Sequence, residues 1–358
     1  MKKLMFLSVA ALTSLGVSAQ SQLKTLQEAY KDHFSIGVAI SMQSIISTDH
    51  ALQIKQMYNS ITAENDFKPA ITQPEEGVWN WSNADNIARF AASNNIPLRG
   101  HTLIWHGQTG RWMFYDDRGR LVKKEVLFER MRTHIHTVVN RYKGQIYAWD
   151  VVNEAISDDP NAEHPYRNSL YYQICGSDEF IRKAFEFARE ADPDALLFYN
   201  DYNESVPHKR DRIYNMVKEM KAAGVPIDGI GMQGHYNIHS PSEADFSAAV
   251  KLYSSVVDHI HVTELDVRVN QEMGGQLEGG AGQQALTPEL EAAQVAQYDM
   301  LFRVLRENSA KVDNVTFWNT DDAHTWLDGR RGSSLRNFPL LFDDNLQPKK
   351  AYYKVIDF

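Results

Sequence analysis

A single cysteine, Cys175, stands in a chain of 358 residues, so no internal disulfide is possible and stability must come from a buried core. An unbroken membrane-length apolar run is also missing. The stretch Leu4 to Val17 is short for a bilayer span and is interrupted by Ser8, Thr13, Ser14 and Gly16. It follows Lys2 and Lys3 and ends on Val17, Ser18 and Ala19, the pattern of a secretory leader cut after Ala19. Residues 1–19 are therefore expected to be a signal peptide and residues 20–358 one domain, secreted or periplasmic, with no membrane span in the mature chain. No Cys near the cut suggests a lipid anchor. Positive charge is in deficit too, with 37 Lys and Arg against 46 Asp and Glu and a net charge of −9. Loss of Lys2 and Lys3 with the leader would make it about −11. That balance disfavours nucleic acid and anionic membranes as partners and suits a neutral polymer. No Ser/Pro-rich linker, charge block or repeat divides the chain.

What recurs is a short apolar run followed by a helical pattern. The strand-like runs are 34–41, 60–66, 97–105, 146–154, 195–201, 229–236, 259–266 and 315–320. Segments such as 126–142, 178–191, 209–223 and 288–308 carry a 3.6-residue periodicity between them. Eight alternations imply an α/β fold of (β/α)8 type, a TIM barrel in a single domain. An open doubly wound sheet is the competing architecture, weakened by the lack of GxGxxG after the first strand. Run after run ends in polar side chains: Glu64 and Asn65, His101 and His106, Asn153 and Glu154, Asn200 and Asp201, Gln233 and His235, Glu264 and Asp266, then Trp318. A barrel gathers such groups on one rim, whereas an open sheet scatters them.

Cleaving an acetal at neutral pH needs one group to protonate the departing oxygen and another to meet the cationic sugar carbon. Two carboxylates facing each other across a cleft supply both. Glu154 ends the run YAWDVVNEA beside an aromatic wall, and Glu264 ends HIHVTELD. Either glutamate alone is more often a cap or an ion-pair partner; together, among other polar strand ends, they read as a catalytic pair.

The motifs TAENDFK (62–68), GHTLIWH (100–106), AWDVVNEA (148–155), YNDYN (199–203), GMQGH (231–235), HVTELD (261–266) and TFWNTDDAHTWL (316–327) occur in this order. In them the chain resembles glycoside hydrolase family 10 xylanases, from about Phe34 to its C-terminus. The resemblance implies a (β/α)8 barrel, endo-acting hydrolysis of β-1,4-xylan, retention of configuration and no required cofactor; xylan and xylo-oligosaccharides are the expected partners, and the chain is expected to be a monomer. It makes Glu154 the general acid/base and Glu264 the nucleophile, with His235 the hydrogen-bonding partner of Glu264. A retaining pair has its carboxyl groups about 5 to 5.5 Å apart. Glu264 is expected to stay ionised, and Glu154 to be held protonated by that neighbouring charge and by partial burial. Glycosylation of Glu264 removes the charge and frees Glu154 to act as base.

The resemblance also makes Asn153 the partner of the sugar 2-hydroxyl, and Glu64, Asn65, Lys68, His101 and Gln233 the hydrogen-bonding set on the non-reducing side of the cut. Trp105, Trp318 and Trp326 become surfaces for xylose rings, and His106, Tyr202 and Asp266 supporting residues. Strand-end caps, a Glu64–Lys68 ion pair and core tryptophans are the plainer readings. His134/His136 and His259/His261 form H-x-H pairs, but the first lies on a helix, where residues two apart do not share a face. The second lies at a strand start, away from the catalytic rim, so no catalytic metal is expected. Phe67, Gly107 and Asn319 stand where Met, Ser and Gly are common in the family. The Gly/Gln-rich stretch 270–286 is either a loose connection or an extended substrate rim. A mixed β-1,4-glucanase, or a non-catalytic carbohydrate-binding barrel, are the alternative functions.

Overall fold

Runs dense in Val, Ile, Leu and Phe, bounded by polar or turn residues, fold as strands whose two faces are both covered. The computed structural model describes residues 24–270, 285–328 and 336–358. Its strands are β1 (Ser35–Ile40), β2 (Ser60–Ala63), β3 (Leu98–Trp105), β4 (Ile146–Asn153), β5 (Leu196–Asp201), β6 (Gly229–Met232), β7 (His235–Asn237), β8 (His259–Arg268) and β9 (Val312–Phe317). Neighbours pair in parallel from β1 to β6, then β6 with β8, β8 with β9, and β9 with β1. The cylinder is thus closed by eight strands, while β7 extends the sixth position along the outer end of β8. Helices including Ser82–Ser93, Lys124–Tyr142, Glu179–Ala191, Pro207–Ala222, Glu243–Ser254 and Pro288–Glu307 return the chain between strands. The architecture is the expected (β/α)8 barrel in one domain.

Local chemistry explains the helix starts. Thr287 accepts from the Leu290 amide ahead of Pro288, and Ser242 accepts from that of Asp245. The helix Glu179–Ala191 turns Phe180, Ile181, Ala184, Phe185 and Ala188 onto the barrel, and full burial of each large apolar side chain contributes about 1.5–3 kcal/mol. The first and last described helices, Leu26–Tyr30 and Lys350–Ile356, clasp each other. Tyr30 donates its hydroxyl to the Val355 carbonyl, and Tyr352 donates to that of Lys24 at 2.8 Å.

Several strand boundaries differ from the sequence reading: β2 stops at Ala63 rather than at 66, and β8 runs on to Arg268 rather than ending at 266. The run 229–236 is split because Gly234 takes φ +80°, a turn that ends β6 and starts β7. The last strand begins at Val312 and stops at Phe317 rather than spanning 315–320. Asp313 and Asn314 hide its start from a hydrophobicity reading, and Asn319 at φ +105° ends the extended run. The expected signal peptide, residues 1–19, lies outside the described residues, as do positions 271–284 of the Gly/Gln-rich stretch. No helix among the described residues is long and apolar enough to cross a membrane.

Candidate active site

The carboxyl ends of the strands open into a cleft of about 510 Å³. Glu64, Asn65 and Lys68 after β2, His101 and Trp105 on β3, and Asn153 and Glu154 at the end of β4 line it. Tyr202, Gln233, His235, Glu264, Trp318 and Trp326 complete the wall together with Gln108, which the sequence reading did not single out, so all but two of the expected site residues meet there. Asp266 sits beneath the wall, fully buried. His106, expected as a supporting residue, stands beside the Trp105 ring, with centroids 5.9 Å apart, and like Asp266 does not itself line this cleft.

Glu264 is buried and held by donors from both sides. The Asn200 amide donates to its Oε1 at 2.8 Å, and His235 Nε2 stands 3.0 Å from its Oε2. The other His235 nitrogen, Nδ1, lies 2.8 Å from Asp266 Oδ2, a contact set by the β7–β8 register that pairs His235 with Asp266. The Trp326 indole donates to the same Asp266 oxygen at 2.8 Å. Burial alone would lower the affinity of His235 for its second proton, but the Asp266 and Glu264 carboxylates outweigh it and raise the pKa to about 10. An imidazolium therefore donates to both acids at neutral pH. For Glu264, burial pushes upward, yet the field of His101 and the His235 hydrogen bond prevail and hold it below the usual glutamate value.

Glu154 is presented differently. It adopts φ +58°, a conformation costly for a side chain with a Cβ, directly after β4, and its backbone N–H donates to the Asn200 carbonyl at 2.9 Å. Trp105 donates through Nε1 to Oε2 at 2.9 Å, and Gln233 and Asn153 donate to Oε1 at 3.0 and 3.2 Å. Gln233 also donates to Asn153 Oδ1 at 3.1 Å, which receives the Asn200 amide as well. Space for that Asn200 amide depends on Gly231: a Cβ there would lie 2.3 Å from Asn200 Oδ1. Asn200 was visible only as a polar strand end in YNDYN; its shared role follows from convergence that spacing does not reveal.

Arg99 is wholly buried and grips Asp150 with both terminal nitrogens, at 3.1 and 2.7 Å. Asp150 Oδ2 lies 3.0 Å from His101 Nδ1, and that nitrogen is 3.9 Å from Glu264 Oε1. Burial would raise Asp150, but Arg99 dominates and keeps its carboxyl low. Lys68 donates to Asn65 Oδ1 at 2.9 Å and stands 5.1 Å from the Trp105 ring centroid. Burial lowers the Lys68 pKa and raises that of Glu64, while their mutual attraction opposes both shifts. On the opposite side, the Tyr202 hydroxyl donates to Asp158 and accepts from Arg167 at 2.7 Å.

The H-x-H pairs are used structurally. His134 Nδ1 meets Gln73 Oε1 at 2.8 Å, whereas His136 lies 3.2 Å from Glu190. His259 pairs with Asp313 at 2.7 Å, and His261 accepts from Arg99 at 3.0 Å. Phe67 fills a buried site against Tyr142 and Trp149, with ring centroids 4.9 and 5.9 Å away.

A (β/α)8 barrel that brings two glutamates, amide donors and indole faces to one open cleft has the makings of a glycoside hydrolase. Residues 25–358 match the family model described as glycosyl hydrolase family 10. A relative from Xylanibacter ruminicola named endo-1,4-beta-xylanase/feruloyl esterase is 49% identical over 93% of this chain, which spans 46% of that protein's length. The endo-1,4-beta-xylanase of Geobacillus stearothermophilus is 41% identical over 94% of this chain and 99% of its own. Among solved structures, a psychrophilic glycoside hydrolase family 10 endo-beta-1,4-xylanase superposes with a TM-score of 0.87, at 51% identity over 94% of this chain and 99% of that one. The chain belongs to glycosyl hydrolase family 10 and is a glycoside hydrolase.

Proposed function

We propose that this protein is a retaining endo-1,4-β-xylanase, with Glu264 the nucleophile and Glu154 the general acid/base. The observation that carries the reading is the unequal treatment of the two glutamates. Glu264 is buried, accepts from Asn200 and His235, and is kept low in pKa, as a group that must attack in its ionised form requires. In the first step Glu154 gives its proton to the glycosidic oxygen as that bond breaks, and a Glu264 oxygen bonds to the anomeric carbon. In the second, water gives a proton to Glu154, its oxygen attacks the same carbon, and Glu264 leaves as carboxylate. Asn153, beside both amide donors, is the partner for the 2-hydroxyl. Trp105, Trp318 and Trp326 offer apolar faces to the sugar rings.

Expected outcomes are direct. Glu264→Gln and Glu154→Gln each lower xylan hydrolysis by about 10²–10⁴-fold or more while leaving the unfolding midpoint near that of wild type. Near-normal activity in either variant would refute the assignment. An NMR time course should record the β-anomer of the product first; α-anomer first means inversion. Faster hydrolysis of carboxymethylcellulose than of xylan would move the substrate to glucose polymers.

A further inference from the structure

Away from the cleft, His50, Asp321 and His324 converge with their ligand atoms all within 4.8 Å of one another. His50 rides on the helix Thr48–Met57, the second after β1, and Asp321 caps and His324 ends the short turn that follows β9. His50 Nε2 lies 3.0 Å from Asp321 Oδ2, and His324 Nδ1 lies 2.7 Å from Asp321 Oδ1. The two rings approach edge to face, with centroids 4.7 Å apart. Asp321 is almost wholly buried, while a third of His324 reaches solvent and provides an entry path.

The surroundings orient these groups as outer partners orient metal ligands. Ser47 Oγ sits 2.8 Å from His50 Nδ1, which fixes the ring and aims Nε2 at the carboxylate. Thr320 donates to Asp321 Oδ2 at 2.6 Å and the Ala323 amide donates to Oδ1 at 3.0 Å, so the carboxylate is positioned without either histidine. Ligand atoms on a tetrahedral zinc with bonds of 2.0–2.1 Å lie about 3.3 Å apart. The present separations reach that spacing with shifts well under a side chain's length. Two imidazoles and one carboxylate suit zinc and exclude calcium and magnesium, which take all-oxygen sets.

We propose that His50, Asp321 and His324 bind one Zn²⁺, with water completing the tetrahedron. The ion would tie the helix after the first strand to the loop after the last, across a sequence separation of 271 residues. It would pin the base of the segment that carries Trp326. With Cys175 unpaired, such a clip would act as a disulfide does in many proteins, because metal bound only by the folded chain adds to folding stability.

The test uses the whole chain, stripped with a chelator and dialysed, then titrated with ZnCl2 in a calorimeter. Wild type is expected to take up one Zn²⁺, and its unfolding midpoint to rise with the logarithm of free Zn²⁺. His324→Ala, which alters a partly exposed side chain, and His50→Gln should each lose both responses, whereas His136→Ala should keep them. Co²⁺ should give visible absorption of tetrahedral intensity in wild type and not in His324→Ala. Equal uptake and equal thermal shift in wild type and His324→Ala, or no uptake by wild type, would overturn the site and leave an ordinary hydrogen-bonded triad.

Discussion

Asn200 donates its amide to Glu264 at 2.8 Å, and the carbonyl of the same residue receives the backbone N–H of Glu154 at 2.9 Å. One asparagine therefore sets the side chain of one glutamate and the backbone of the other. Thr263 fixes which way the amide points by donating to its oxygen at 2.6 Å.

Asn200→Ala removes a hydrogen bond to a buried charge, worth about 1.5–3 kcal/mol, so kcat/KM on xylan should fall roughly 10- to 150-fold. The acidic limb of its pH profile should move to higher pH, since Glu264 loses a donor that favours the carboxylate. An unshifted limb would show that the residue acts on packing alone.

His235 contributes stability with a defined sign. Its folded pKa is raised to about 10, so the contribution is complete below the unfolded value of 6.5 and disappears as pH climbs through about 10. Calorimetric midpoints of wild type should decline across that window. Those of His235→Gln should decline less, and parallel curves would argue against a charged His235. Asp266→Asn should flatten the same limb, because Asp266 is the principal anion beside the ring.

Asp150→Ala leaves the Arg99 guanidinium buried without its counter-ion, at a cost of about 3–5 kcal/mol. Urea unfolding measures it directly. A loss below about 1 kcal/mol would mean that water enters to solvate Arg99.

Glu154→Gly should give a protein that is inactive yet unfolds no lower than wild type. Glycine relieves the φ +58° backbone, and the positive-φ residue contributes no apolar burial to offset that strain. A marked drop in the midpoint would place the side-chain hydrogen bonds of Glu154 above its backbone cost.

Much of this was legible in the sequence because barrel strands are short, apolar and punctuated by polar ends. Glu64, Asn153, Gln233 and Glu264 were readable as rim residues for that reason. Asn200 and Gly231 were opaque for another reason: their value lies in mutual clearance across β5 and β6, which no spacing encodes. The Arg99–Asp150 pair was hidden as well, since a lone arginine in an apolar run carries no sign of a partner 51 residues away. The start of β9 was missed because Asp313 and Asn314 break the apolar pattern, although Val312 pairs with Ile260 and Asn314 with both Ser35 and His261.

The clasp between Tyr30 and Val355, and between Tyr352 and Lys24, bears on how the molecule is made. Synthesis runs from one end, so the first helix waits without its mate until residue 352 has left the ribosome, and the cylinder's seam between β1 and β9 waits almost as long. Closure is consequently a late event, and a chain arrested before β9 would keep an open sheet edge, a surface that invites pairing with other chains.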